Sequence, residues 1–231
     1  MQDYYASLSE DYDVKIRQLV PGYDEMAACV VDHLKGVRPF VILEIGAGVG
    51  NLTEMVVQTI GCGSLTAVEI SDEMAALAGG RLGSNDRVRI VQCDILDFLP
   101  DKSYDAIYSN LVLHNVSYDD KLDLLQRILT WLEPNGIFVW GDLIRHDDSG
   151  TQNAWVQARI EHAHETGCSE GLIEQNFAKE GTVDFPLTKE ETIDAARDAG
   201  FANVRVVWAS DAFAVFLLDS RQRPTDEESN G

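Results

Sequence analysis

The sequence predicts an α/β domain: a doubly wound, mostly parallel seven-stranded sheet that ends in an antiparallel hairpin. Three observations predict it. Short, continuously apolar runs alternate with helical patterns from about residue 39 to 142, as expected for parallel strands buried on both faces. A glycine-rich segment, Gly46 to Gly50, stands where the first run gives way to the first helical pattern. The chain closes with two β-rich runs, Val204 to Trp208 and Phe213 to Leu218, separated by four residues.

Phe40-Val41-Ile42-Leu43 is the first strand. Leu52, Met55, Val56 and Ile60 follow at helical spacing, and Gly61 and Gly63 punctuate the end. Leu65 to Ile70 is the second strand. Ser71 is placed to cap a helix over Asp72 to Ala78, which stops at Gly79-Gly80. Val88 to Val91 and Ala106 to Ser109 are the third and fourth strands. Ser117 and Asp120 have capping-box spacing before a helix whose apolar face is Leu125, Ile128, Leu129 and Leu132. Pro134-Asn135-Gly136 then turns the chain into the fifth strand, Ile137 to Trp140. From about 145 to 186 the pattern breaks into a polar stretch, helical around Trp155 to His164, which reads as an insert or lid over the sheet edge. Thr188 and Glu191 form a second capping box, and Gly200 ends that helix. Ala209 to Ala212 joins the last two strands as a hairpin. Residues 1–219 form a single domain, and 220–231 are expected to be a disordered tail.

Composition narrows the function. The 231 residues carry 39 acidic and 18 basic side chains, a formal net charge of −21. Such a chain repels polyanions, and no basic stripe is present to displace counterions from a nucleic acid. No apolar run reaches the ~18 residues that a membrane helix needs. The first twenty residues lack the basic and apolar regions of a signal peptide. The four cysteines form no CxxC pair, so a reduced, cytoplasmic protein is expected.

The chemistry gathers at strand ends. In Leu43-Glu44-Ile45-Gly46-Ala47-Gly48-Val49-Gly50 the strand-to-helix turn needs glycine, so that the backbone can turn tightly and lie against a ligand. The spacing is GxGxG. Asn51 stands where a dinucleotide fingerprint has its third glycine, which argues against a nicotinamide-dependent dehydrogenase. Glu69 ends the second strand, where a carboxylate can accept both ribose hydroxyls. Asp94 follows the third, where one can accept from an exocyclic amine such as that of adenine. In open α/β sheets ligands bind in the crevice at these carboxyl ends.

Together these residues resemble the class I S-adenosylmethionine-dependent methyltransferases of the small-molecule type, whose Rossmann-like sheet also ends in an antiparallel hairpin. The resemblance covers Phe40 to Asp142 and includes Tyr104 to His114 as a further motif. It implies S-adenosylmethionine as cofactor. Gly46, Ala47 and Gly48 would then line its methionine part, Glu69 its ribose, Ile70 and Met74 its adenosine, and Asp94 and Ile95 its adenine. Glu44, of the same motif as the glycines, would also lie at the cofactor, with Asn110 and Leu111 beside the methionine moiety and the reacting methyl. Tyr12-Asp13, Arg17 and Pro21-Gly22-Tyr23 resemble the helical N-terminal cap of such enzymes, here residues 1–38. Arg17 would pair with the cofactor carboxylate, or remain an ordinary surface arginine.

The acceptor pocket is expected between that cap, the region after Asn110 and the insert, with Tyr12, Tyr23, Trp155 and Phe177 as lining. A small organic acceptor, attacked through O, N or C, fits a chain without a basic face. His114 stands near the methyl as a general base, or as a structural histidine. His162 and His164, two apart on a helix, do not share a face. Asp142 is a single acid, so no metal site is expected. The cap also resembles that of enzymes making carboxy-S-adenosylmethionine, which stays open as an alternative, as does a non-catalytic cofactor-binding module. A monomer or homodimer is expected.

Overall fold

The structure is a computed structural model that describes residues 11–83, 85–180 and 182–219. The expectation for the 220–231 tail, and the first ten residues of the cap, lie outside these. Seven strands form one sheet: β1 (Val41–Ile45), β2 (Ser64–Glu69), β3 (Val88–Gln92), β4 (Tyr104–Asn110), β5 (Leu132–Leu143), β6 (Asn203–Ala209) and β7 (Phe213–Asp219). Their order is β3-β2-β1-β4-β5-β7-β6. The first five are mutually parallel. The terminal hairpin folds back so that β7 lies between β5 and β6, antiparallel to both.

Side chains alternate between the two faces of each strand, and both faces are covered. Ile42, Ala106, Tyr108, Ile137 and Val139 pack on one side with Met26, Val30 and Leu34 of α2 (Tyr23–Val37) and Leu52 and Val56 of α3 (Asn51–Ile60). Leu43, Ile45, Ile107, Phe138 and Trp140 pack on the other. They meet Leu124, Leu125 and Ile128 of one helix and Ala196 of another. These two helices are α5 (Tyr118–Trp131) and α8 (Lys189–Asp198); α4 (Asp72–Leu82) precedes them in the chain, and α6 (Ser149–Glu165) and α7 (Glu170–Phe177) of the insert lie between them. Burial of this double-sided core is why the strands read as unbroken apolar runs.

Three elements depart from the sequence reading. Strand β5 begins at Leu132, which the spacing assigns to the preceding helix, and runs through Pro134-Asn135-Gly136. Helix α4 runs through Gly79-Gly80 to Leu82 and ends at Gly83, at φ 59°. Arg81, beyond the glycines, pairs with Asp13 at 3.0 Å and Glu54 at 3.6 Å. Those tertiary contacts oppose the roughly 0.5–1 kcal/mol that each internal glycine costs. At the start of α5, the Ser117 hydroxyl accepts from Asp120 N at 3.2 Å. The Asp120 carboxylate takes the Ser117 hydroxyl rather than its backbone N–H, so the box is half formed. Glutamate, one methylene longer, completes it at α8: Thr188 N donates to Glu191 at 2.9 Å and Glu191 N to Thr188 at 3.1 Å.

The N-terminal α1 (Tyr12–Leu19) lies against the insert. Gln18 Nε2 donates to Thr166 O at 2.8 Å. His162 Nε2 donates to Arg17 O at 2.9 Å. Cap and insert thereby meet above the carboxyl end of the sheet.

Candidate functional site

The connections change direction between β1 and β4, which are neighbours in the sheet but not in the chain. A crevice opens at such a point. Its floor is the loop after β1, where Gly46, Gly48 and Gly50 all take positive φ. Gly46 N and Ala47 N donate to Val68 O at 2.8 and 3.0 Å. Glu69 fixes the loop from the next strand: its carboxylate accepts from Gly48 N and from Ser71 N, both at 2.8 Å. Burial pushes this carboxyl up, and the backbone donors oppose that. Asp94 is held by Leu96 N at 2.9 Å.

A cavity of about 310 Å³ follows these strand ends, lined by Gly46, Gly48, Glu69, Ile70, Met74, Asp94 and Ile95, and by Asn110, Leu111 and Tyr12. A small recess of about 30 Å³ adjoins it and reaches Glu44, Ala47, Asn51 and Tyr23. Glu44 is buried and accepts from Thr53 Oγ1 at 2.5 Å. Burial raises its pKa to about 8. The side chains of Asn51 and Asn110 keep buried polar atoms with no protein partner here. A third cavity of about 70 Å³ lies under α1 and the insert. Tyr12 and Leu111 line all three spaces, and Leu111 is held at φ 60°.

His114, Arg159, Lys179 and Asp184 line the third cavity. His114 Nδ1 is 2.5 Å from Asp142 Oδ1. Asp142 is itself fixed by Trp140 Nε1 at 2.8 Å and Leu143 N at 2.9 Å. The Asn115 amide faces His114 Nε2 at 3.2 Å. Phe185 lines the first cavity and bonds to a residue of the third: its N–H donates to His114 O at 2.6 Å, and its carbonyl accepts from Lys121 Nζ at 2.6 Å. Burial lowers the Lys121 pKa to about 8.

Of the residues expected at the cofactor, all but Arg17 line the first cavity or its recess. Arg17 is turned away. Its guanidinium lies 2.8 Å from Asp24 and over the Tyr23 ring, the nearest carboxylate having claimed it. Tyr23, expected at the acceptor, lines the recess beside Glu44 and Asn51. Trp155 lines none of these spaces; its indole packs edge-on against His146, 5.2 Å between centroids. Asn51, Asp142, Arg159, Lys179 and Asp184 were not singled out as ligand contacts. Strand-end position could have marked Asp142 and the glycine motif Asn51, while Arg159, Lys179 and Asp184 sit in segments without a diagnostic pattern.

A methyltransferase-domain family model matches residues 43–140. An uncharacterized methyltransferase of Geobacillus sp. strain WCH70 is 30% identical over 163 residues, 70% of this chain and 73% of the relative. A carboxy-S-adenosyl-L-methionine synthase of Wolinella succinogenes is 26% identical over 180 residues, 76% of this chain and 74% of the relative. Among solved structures, the DhpI–SAH complex superposes with a TM-score of 0.67 at 20% identity, covering 97% of this chain and 96% of the other. The chain belongs to the class I S-adenosylmethionine-dependent methyltransferases. S-adenosylmethionine is its cofactor and methyl transfer its activity.

Proposed function

We propose that this enzyme methylates a small molecule held in the 70 Å³ cavity, with the cofactor along the larger cavity and its recess. The observation that carries the reading is the shared wall: Tyr12 and Leu111 border all three spaces, so two reactants can meet there. The residues fit the cofactor. Glu69 and Asp94 offer carboxylates to ribose and adenine, Ile70, Met74 and Ile95 offer apolar contact, and Gly48 leaves room beside them. The unpartnered amides of Asn51 and Asn110, with Glu44, suit a charged amino-acid end.

When bound, the cofactor supplies an electrophilic methyl whose bonding pair stays with sulfur as the acceptor's lone pair takes the carbon. The protein aligns the reactants, which is worth up to ~7–11 kcal/mol in well-oriented systems. We assign His114 as the base that takes the acceptor's proton at Nε2, where Asn115 now donates, and Asp142 as the positioning residue at Nδ1. Residues 1–38 and 145–186 serve as cap and lid of one domain, and a reducing, cytoplasmic setting suits its four free cysteines.

The test is mass spectrometry of turnover with deuterium-labelled methyl donor and a panel of small acceptors. Expected products are S-adenosylhomocysteine and a labelled acceptor. His114→Ala should lower kcat by roughly 10²–10⁴-fold while cofactor affinity holds. Labelling of only a protein or tRNA would overturn the reading. The similarity to the Wolinella synthase makes a second product informative: a carboxylated cofactor without labelled acceptor would favour that chemistry instead.

A further inference from the structure

The chemistry of the acceptor can be narrowed, given the reading that the 70 Å³ cavity receives it. Part of its lining, Arg159, Lys179 and Asp184, is charged and largely removed from solvent. Arg159 is 6% exposed. Its guanidinium sits 4.8 and 5.3 Å from the ring centroids of Phe177 and Phe213 and pairs with Glu180. That arrangement leaves its Nε buried without a hydrogen-bond partner. Asp184 is 5% exposed and 3.9 Å from Lys179 Nζ, and its Oδ1 is likewise buried without a partner. Lys179 is held below its usual pKa by burial.

An unpaired buried donor and an unpaired buried acceptor are each unfavourable. Here both belong to side chains that line one cavity. An apolar acceptor would leave both unpaired. A molecule with only an anionic group would satisfy Arg159 and crowd Asp184. Of the charged groups lining the cavity, Arg159 and Lys179 face one carboxylate, Asp184, while Glu180 pairs with Arg159 from outside the lining, so the charges balance. The complementary ligand therefore carries an acceptor group and a donor group at once, and the volume keeps it small.

We propose that the methyl acceptor is a small acid bearing its own hydrogen-bond donor. Its oxyanion lies against Arg159 and Lys179, its hydroxyl or ammonium against Asp184, and the atom to be methylated faces Leu111 and His114. This rests on the placement of the acceptor cavity given above. It adds a specificity wall built by the insert, which the cofactor residues do not share.

The experiment is calorimetry on the protein saturated with S-adenosylhomocysteine. The ligands are short hydroxy acids and amino acids, their phosphonate counterparts, their methyl esters, and neutral alcohols. The acids should bind, and the esters and alcohols should bind at least roughly tenfold more weakly. Lys179→Gln and Asp184→Asn should each weaken acid binding by roughly 10- to 100-fold with S-adenosylhomocysteine affinity unchanged. Removing the ligand's donor should cost nothing further in Asp184→Asn, the coupling expected of a direct contact. Arg159→Lys keeps the charge but removes Nε. Because Arg159 packs between two rings, its thermal unfolding is followed first, and the Lys179 and Asp184 variants decide the matter if it does not fold. A preference between carboxylates and phosphonates identifies the oxyanion. Neutral ligands binding as well as the acids, or acid affinity unmoved in both variants while S-adenosylhomocysteine still binds, overturns the proposal. Failure of the unaltered protein to bind S-adenosylhomocysteine would instead overturn the cofactor placement and this inference with it.

Discussion

Gly46 and Gly48 both hold the left-handed backbone that glycine tolerates, but their surroundings differ. A Cβ at Gly46 would stand 2.2 Å from Val112 Cγ2, whereas one at Gly48 would meet no atom within 4 Å. Gly46→Ala should therefore lower folding stability, by about 1–3 kcal/mol for overpacking, before any ligand is considered. Gly48→Val should bear a backbone cost of ~1–2 kcal/mol, still unfold cooperatively, and fail to bind S-adenosylhomocysteine. Thermal unfolding and calorimetry on the two variants read the contrast. Glu44 adds a pH signature. Its folded pKa of about 8 lies above the ordinary 4.5. The folded state holds a proton that the unfolded state releases across that window. Its contribution is fully present below pH 4.5 and is lost as pH rises through about 8. Urea unfolding of the ligand-free protein should show this decline, and Glu44→Gln should flatten it.

At the scale of elements, the capping box of α8 is a local device with a measurable share. Thr188→Ala removes the hydroxyl that Glu191 N needs and should destabilise the protein by about 0.5–2 kcal/mol in urea unfolding. Elements of this kind were legible in the sequence, because a box, an N-cap such as Ser71 and an unbroken apolar strand each write their physics into adjacent residues. The order of β7 and β6 was not, since a hairpin pattern fixes pairing within the hairpin and says nothing of which strand meets β5. Helix α4 ran past its glycines because Arg81 found Asp13, 68 residues away. The same divide runs through the site. Glu69 and Asp94 were legible because the fold delivers the ends of β2 and β3 to one crevice. Arg159 and Asp184 were not, because only the folded insert brings them to one cavity. Trp155 packs against His146, as an aromatic in an insert readily does.

The whole molecule carries a net charge of −21, and self-repulsion on that scale weakens a compact state. Raising salt from about 0.01 to about 0.1 M shortens the screening length from about 30 to about 10 Å. The thermal midpoint of the ligand-free protein should rise over that range, as calorimetry or circular dichroism would register. The acidic surface also makes the charged lining of the third cavity distinctive, since it holds one buried cation, Arg159, and one half-buried, Lys179, in a chain with 18 basic residues.

Phe185 has one further consequence. Its two backbone bonds tie the wall of the larger cavity to the carbonyl of His114 on one side and to the ammonium of Lys121 on the other. One short segment thus fixes both a wall of the first cavity and the backbone of His114, so that the two spaces share a single anchor.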